Sequence, residues 1–259
     1  MNTKPKVDPS TASWEEFNTG CYEILVPENF WMQARAESIL RQLRKTGVST
    51  ATKAEVLDVG CGRGGFIRQL EVFTNWRITG VDLNQTALAN PIPEQSKLES
   101  YDILTRDPSK KGKFDHVFLL DVLEHIPDTR GFLDAALFHV KPGAYLTVNV
   151  PALPVLFSRF DHVVGHLRRY TKKSLAREFS ELDVKIADLR YWGFSLVPLG
   201  IARKIVVARM PKEKATRVGL RPPNQFMNNL LGYLLHWEIK LWPSPPLGTS
   251  VLVTVKKAD

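Results

Sequence analysis

Two stretches of this chain carry side chains whose types and spacing could do chemistry. The first lies between Asp161 and Tyr170 and holds Asp161, His162, Gly165, His166, Arg168, Arg169 and Tyr170. Imidazoles move protons near neutral pH, and paired guanidinium groups suit a carboxylate or a phosphate. His166, Arg169 and Tyr170 are therefore candidate catalytic residues, and His125 joins them from the end of a predicted strand. A structural role stands beside the chemical one. His125 could brace its loop through one hydrogen bond, and the arginines could pair with Asp161 or Glu124 and fix theirs.

The second stretch is Glu55 to Phe66, Glu-Val-Leu-Asp-Val-Gly-Cys-Gly-Arg-Gly-Gly-Phe. Val56, Leu57 and Val59 read as a buried parallel strand. Gly60, Cys61, Gly62, Arg63, Gly64 and Gly65 make a glycine-rich turn, and Phe66, Ile67 and Leu70 recur at helical spacing, which predicts a helix from near Arg63. Glycine lets backbone approach a ligand, and a helix start offers unpaired N–H groups to an anionic group. Gly60, Gly62 and Gly65 satisfy G-x-G-x-x-G, and Gly60, Gly62 and Gly64 satisfy G-x-G-x-G with Asp58 two residues ahead. The turn alone is compatible with a purely structural bend. Asp82 adds weight to the ligand reading. It lies about 20 residues beyond the glycines, where a doubly wound fold places a carboxylate for two ribose hydroxyls.

These groups need elements to position them. Residues 1–13 read as a disordered lead-in. Pro27 to Lys45 reads as a helix with an apolar stripe of Phe30, Trp31, Ala34, Ile39, Leu40 and Leu43, suited to packing or to covering a ligand. After the glycine turn, strands are predicted over 76–81, 97–103, 113–120, 144–150, 182–189 and 249–255. Helices are predicted over 84–90, 131–140, 194–210 and 224–241. Strands and helices alternate through residue 150, which predicts a parallel sheet flanked by helices on both faces. Asp82, Asp102, Asp121 and the loop after Pro151 all fall at the carboxyl ends of strands, beside the glycine turn. Such sheets bind their ligands along that edge.

The 259 residues suit one large domain, and 44% hydrophobic with 24% charged residues is an ordinary globular composition. The formal charge of +8 allows an acidic partner or simply a basic surface. Two cysteines, Cys21 and Cys61, make neither a disulfide framework nor a zinc site, so no metal centre is expected and a reducing, cytoplasmic setting fits. Neither a signal peptide nor a run of about 18 apolar residues is seen. The helices over 194–241 are rich in aromatic and basic residues, with Arg203, Lys204, Arg209, Lys212, Lys214, Arg217 and Arg221 around them. They read as packing helices, or as an interfacial surface at the inner face of a membrane.

The order of motifs resembles a class I S-adenosylmethionine-dependent methyltransferase. It is carried by Leu57-Asp58-Val59-Gly60-Cys61-Gly62-Arg63-Gly64, Val81-Asp82-Leu83, Phe114-Asp115 and Val122-Leu123-Glu124-His125. Phe30-Trp31 with Arg35, Gly165-His166-Leu167-Arg168-Arg169-Tyr170 and Pro246-Leu247-Gly248-Thr249-Ser250 resemble a bacterial branch related to the methyltransferases of quinone biosynthesis. Arg63 departs from the small Thr or Ser frequent at its position. The resemblance implies a Rossmann-like α/β fold: seven strands, mostly parallel, with the last antiparallel. Residues 1–46 would form an N-terminal extension with a lid helix, and residues 47–259 the methyltransferase domain, with a helical insertion at about 194–245. It implies S-adenosyl-L-methionine as cofactor and S-adenosyl-L-homocysteine as product.

By the same resemblance Asp58, Gly60, Cys61 and Gly62 meet the methionine part, and Asp82 the ribose. Leu83, Asp102 and Ile103 meet the adenine, and Leu120 and Asp121 flank the methionine. The expected activity is methyl transfer to an oxygen of a small-molecule, lipid-linked or glycan-linked acceptor, with an anionic group on the acceptor left open. Asn149-Val150-Pro151-Ala152 lacks the Asp/Asn-Pro-Pro-aromatic signature of adenine N-methylation, and no DNA partner is expected. RNA methylation, an NAD-dependent oxidoreductase and a non-catalytic cofactor-binding scaffold stand as alternatives.

Overall fold

The computed structural model describes residues 26–208 and 224–259. The expected disordered lead-in, Cys21 and the basic residues from Arg209 to Arg221 lie outside the described residues. Strands β1 (Glu55–Val59), β2 (Arg77–Asp82), β3 (Lys97–Ser100), β4 (Phe114–Leu120), β5 (Val140–Pro151), β6 (Val184–Trp192) and β7 (Ser250–Lys257) form one sheet in the order β3-β2-β1-β4-β5-β7-β6. The first five are parallel neighbours, and β7 runs antiparallel between β5 and β6. This is the seven-stranded, Rossmann-like architecture that the sequence predicts.

Apolar residues on both faces explain why these strands lie in mid-molecule. Leu57, Val117, Leu119, Val251 and Val253 belong to one buried cluster, while Val56, Phe118, Leu120 and Leu252 belong to another. The alternation is that of a strand covered on both sides. On the first face pack α4 (Thr129–His139) and α6 (Lys172–Glu178), through Phe132, Leu133 and Leu175. On the second pack α1 (Phe30–Lys45), α2 (Gly65–Phe73) and α8 (Gln225–Leu241), through Ile39, Leu43, Phe66, Leu70, Leu235 and Ile239. α1 is capped by Asn29, whose side chain accepts from Trp31 N, and it is tied to α8 by Phe30 N donating to Asn228 and by His236 with Glu37.

Several elements differ from their predicted bounds, among them the short helix α3 (Gln85–Leu88), predicted over 84–90. The third strand stops at Ser100, because the Asp102 side chain accepts from Leu104 N and turns the chain into a 3-10 turn. The fifth strand begins at Val140, since Gly143 at φ 70° bends the backbone without ending the pairing. The helix predicted over 194–210 starts as a 3-10 turn at Phe194–Leu196 and continues as α7 (Val197–Ala208). Between β5 and α6, where the sequence predicts no element, lies the short helix α5 (Arg159–Val163).

Strand order reverses between β1 and β4. Loops leaving those neighbours diverge to opposite faces, so a crevice opens at their carboxyl ends. The glycine turn and Asp121 border it.

Candidate active site

The turn after β1 is held by hydrogen bonds that leave its outer surface to a ligand. Gly60 N and Cys61 N both donate to Val81 O, at 2.8 and 3.1 Å, and Gly62 N donates to Asp82 Oδ2 at 2.7 Å. Gly60 has φ 72°, and a Cβ there would lie 2.5 Å from Val122 Cγ2. Only glycine fits. Helix α2 then begins at Gly65, two residues later than predicted, because Gly64 takes the left-handed conformation as its N-cap.

Around this turn the structure gathers the acids foreseen from their strand-end positions. Asp58 is 3% exposed, and burial, opposed by Arg35 and reinforced by Asp82, pushes its carboxyl up to about 7. Asp82 accepts from Gly62 N and, at 2.8 Å, from Asn84 N, while burial still raises its pKa. Burial likewise pushes the Cys61 thiol up. Asp58, Gly60, Cys61, Gly62, Asp82, Leu83, Asp102, Ile103, Leu120 and Asp121 all line one cavity of about 1700 Å³. Pockets for one drug-sized ligand are usually about 300–1,000 Å³, so this one has room for a cofactor and a second molecule.

A polar chain that sequence reasoning missed closes one side. Arg35 Nη1 lies 2.5 Å from Asp121 Oδ2, Asn149 Nδ2 donates to Asp121 Oδ1 at 2.9 Å, and Trp192 Nε1 donates to Asn149 Oδ1 at 2.9 Å. The guanidinium carbon of Arg35 sits 5.0 Å from the Trp31 ring centroid and 5.7 Å from that of Phe66. Asp121 has φ 60°, a strained conformation for a residue other than glycine. Arg35 stood out only as part of a resembling motif. Its helical spacing hides the fact that it points inward, 7% exposed, among apolar neighbours.

The second group of candidates divides. His125, His166 and Arg169 line the cavity. Tyr170 does not: it is 2% exposed within the core beside Leu175 and Tyr191, because the Ala152–Tyr170 bridge turns its side chain away from that of Arg169. His162 packs edge-on against Phe157, and Arg168 reaches the Pro127 carbonyl. Buried Asp161 organises the rest. It takes His166 Nδ1 at 2.9 Å, Arg169 Nε at 2.7 Å and Ser158 N at 2.9 Å. Burial would raise its pKa, but these bonds and the Arg169 charge hold it below the usual carboxylate range. The loop-bracing alternative thus describes Arg169, which pairs with Asp161 and also donates to the Ala152 carbonyl.

His125 stacks edge-on with His166 at 4.9 Å between centroids, with Nδ1 3.1 Å from the Gly165 carbonyl. Burial and the neighbouring His166 lower its pKa to about 4. Glu124 is fully buried, neither of its carboxyl oxygens has a hydrogen-bond partner, and burial and Asp121 raise its pKa well above the ordinary value. Glu124, His125 and His166 each offer one ligand atom, all within 4.8 Å of one another, a donor set that suits a divalent cation.

Comparison with known proteins identifies the family and the fold. The family described as "Methyltransferase domain" matches residues 30–189, more than half of the chain. A ubiquinone biosynthesis O-methyltransferase of Marinobacter nauticus is 31% identical over 110 residues, covering 39% of this chain and 45% of that enzyme. The chain thus spans less than half the length of that curated relative. Among solved structures, the cyclase SpnF superposes with a TM-score of 0.59 at 17% identity, covering 88% of this chain and 83% of the other. Geranyl diphosphate C-methyltransferase from Streptomyces coelicolor A3(2) superposes with a TM-score of 0.57 at 13% identity, covering 87% and 79%. Likeness at that identity concerns the fold alone.

Proposed function

Because this chain belongs to the methyltransferase-domain family, we propose that it transfers a methyl group from S-adenosyl-L-methionine to an oxygen of a small-molecule or lipid-linked acceptor. The observation that carries this reading is the continuity of the acidic glycine cradle in one cavity with His166, which the buried Asp161 holds from behind. The cradle fits the cofactor's charges. Asp58, Asp82 and Asp121 favour an ammonium and a sulfonium, Gly60 admits backbone contact, and Arg35 is a nearby cation for a carboxylate. Asp82 would take the ribose hydroxyls while its amide contacts keep it in place.

When bound, the cofactor supplies a methyl activated on sulfur: the acceptor oxygen forms the new C–O bond as the C–S bond breaks, and that electron pair leaves on sulfur as the thioether. The chain must then align the acceptor, exclude water and remove the hydroxyl proton. His166 is suited to the last task. Asp161 accepts from Nδ1 and so selects the tautomer with a lone pair on Nε2. His125 and Arg169 position it, the first by ring contact and the second by sharing Asp161.

A lipid-linked acceptor is supported by the cavity's rim. Leu199 and Val206 on α7 and Met227 on α8 line the cavity and are 51%, 45% and 40% exposed, beside Ile205, Phe226, Leu230 and Tyr233, all exposed. An apolar rim of this kind can seat on a bilayer surface while an apolar tail passes through it. No helix among the described residues is long and apolar enough to cross a membrane. Calorimetric titration with S-adenosylhomocysteine, with NAD(H) alongside, tests the cofactor. Micromolar binding of the thioether, lost in Asp82→Ala, is expected. Binding of NAD(H) alone would overturn the assignment.

A further inference from the structure

One wall of the cavity holds a cation that no acid of the described residues contacts directly. Arg203 of α7 lines the cavity with its guanidinium carbon 4.4 Å from the centroid of the Phe160 ring. Among the described residues it forms no ion pair. The acid behind that wall, Asp161, is already taken by Arg169 and His166. Burial and the neighbouring Arg169 charge press the Arg203 pKa downward, and the charge of Asp161, which also serves Arg169 and His166, offsets them only in part. The flanking surface is apolar, with Leu156, Val164 and Leu199. A guanidinium lying on a ring keeps its N–H edge for a planar or tetrahedral oxyanion, and a cation in such a place is unfavourable unless a partner arrives.

We propose that Arg203 anchors an anionic group, a carboxylate or a phosphate, on the acceptor. The substrate class is then an anionic amphiphile: its charge rests on Arg203, its apolar part follows the rim of α7 and α8, and its hydroxyl faces His166. This rests on the methyl-transfer reading of the same cavity. It also assigns Arg203 the role that sequence motifs suggest for Arg169, whose guanidinium is committed to Asp161 and the Ala152 carbonyl.

The test uses the full chain saturated with S-adenosylhomocysteine and titrated calorimetrically with octyl phosphate, octanoate and octanol. The proteins are the wild type, Arg203→Met, Arg203→Gln and Lys53→Gln, the last removing an exposed charge elsewhere. At least one anion should bind wild type about tenfold or more tighter than octanol. That preference should fall to within about twofold in either neutral Arg203 variant and persist in Lys53→Gln. The stronger of the two anions identifies the group. A wild type without preference, a preference surviving both Arg203 variants, or one equally lost in Lys53→Gln would overturn the proposal. Thioether affinity is read in the same titrations. If wild type does not bind the thioether, the methyl-transfer reading fails, while the anion titrations on the cofactor-free chain still decide the role of Arg203.

Discussion

Replacing Asp161 by Ala should cost more stability than any other single change in the 151–177 region. The side chain of Asp161 is fully buried and that of Arg169 is 5% exposed. The substitution removes the acceptor for Arg169 Nε, His166 Nδ1 and both Ser158 N and Oγ. Arg169 keeps one bond, to the Ala152 carbonyl at 3.1 Å, and otherwise becomes a buried cation without a counter-charge. Breaking such a pair from one side costs about 3–5 kcal/mol. With a urea slope of about 3 kcal/mol per M, the unfolding midpoint should drop by about 1–2 M. Asp161→Asn keeps an acceptor oxygen and loses only the charge, so about half that loss is expected.

The pH dependence has a definite sign. The folded-state pKa of Asp161 lies below its ordinary value of 3.8, so its stabilisation is complete above that value and is lost as pH falls through the folded-state value. Between pH 7 and 5 the gap between wild type and Asp161→Ala should therefore stay constant, and it should narrow below about pH 4. Urea denaturation followed by tryptophan fluorescence reads both. A loss under about 1 kcal/mol, or a gap that widens in acid, would refute the view that Asp161 is the ionised centre of this loop.

Three further outcomes follow from the geometry. Gly60→Ala forces a Cβ against Val122 at φ 72° and should destabilise the chain by about 1–3 kcal/mol while abolishing the thermal shift given by S-adenosylhomocysteine; an unchanged shift would show that the turn does not contact the cofactor. His166→Ala should lower kcat by about 10²–10⁴ with cofactor affinity unchanged, measured as thioether release with a hydroxylated acceptor that the wild type turns over, whereas parallel loss of both would mark His166 as a structural support. Phe226→Asp with Tyr233→Asp should abolish co-sedimentation with phosphatidylglycerol vesicles at low salt, and a wild type that does not sediment there would end the membrane reading.

Much of the cofactor edge could be read from the chain because it is built from local rules. An apolar run, a glycine cluster and a helical stripe are neighbours in sequence, and strand ends place Asp58, Asp82 and Asp121 without reference to the rest of the molecule. The resemblance implies seven strands with the last antiparallel, but the order in which they assemble is set in the tertiary structure, since alternation does not say that β7 inserts between β5 and β6. Boundaries slipped where a side chain intervened, as at Asp102, whose bond to Leu104 N ends the third strand early.

The partnerships within the site were not legible. Arg35 and Asp121 are 86 residues apart, and Asn149 and Trp192 are 43 apart. Nothing in either local pattern distinguishes a partner from a bystander. Arg169 and Tyr170 are adjacent in one motif, yet one faces the cavity and the other the core, because a single backbone bridge sets which way alternate side chains turn. Residue type and local spacing thus determine which chemistry the chain can offer and where along the strands it stands. Which acid pairs with which arginine, and that Arg203 makes no ion pair among the described residues, follows from long-range packing: pairing in a low-dielectric interior depends on distances of a few ångströms between segments far apart in the chain.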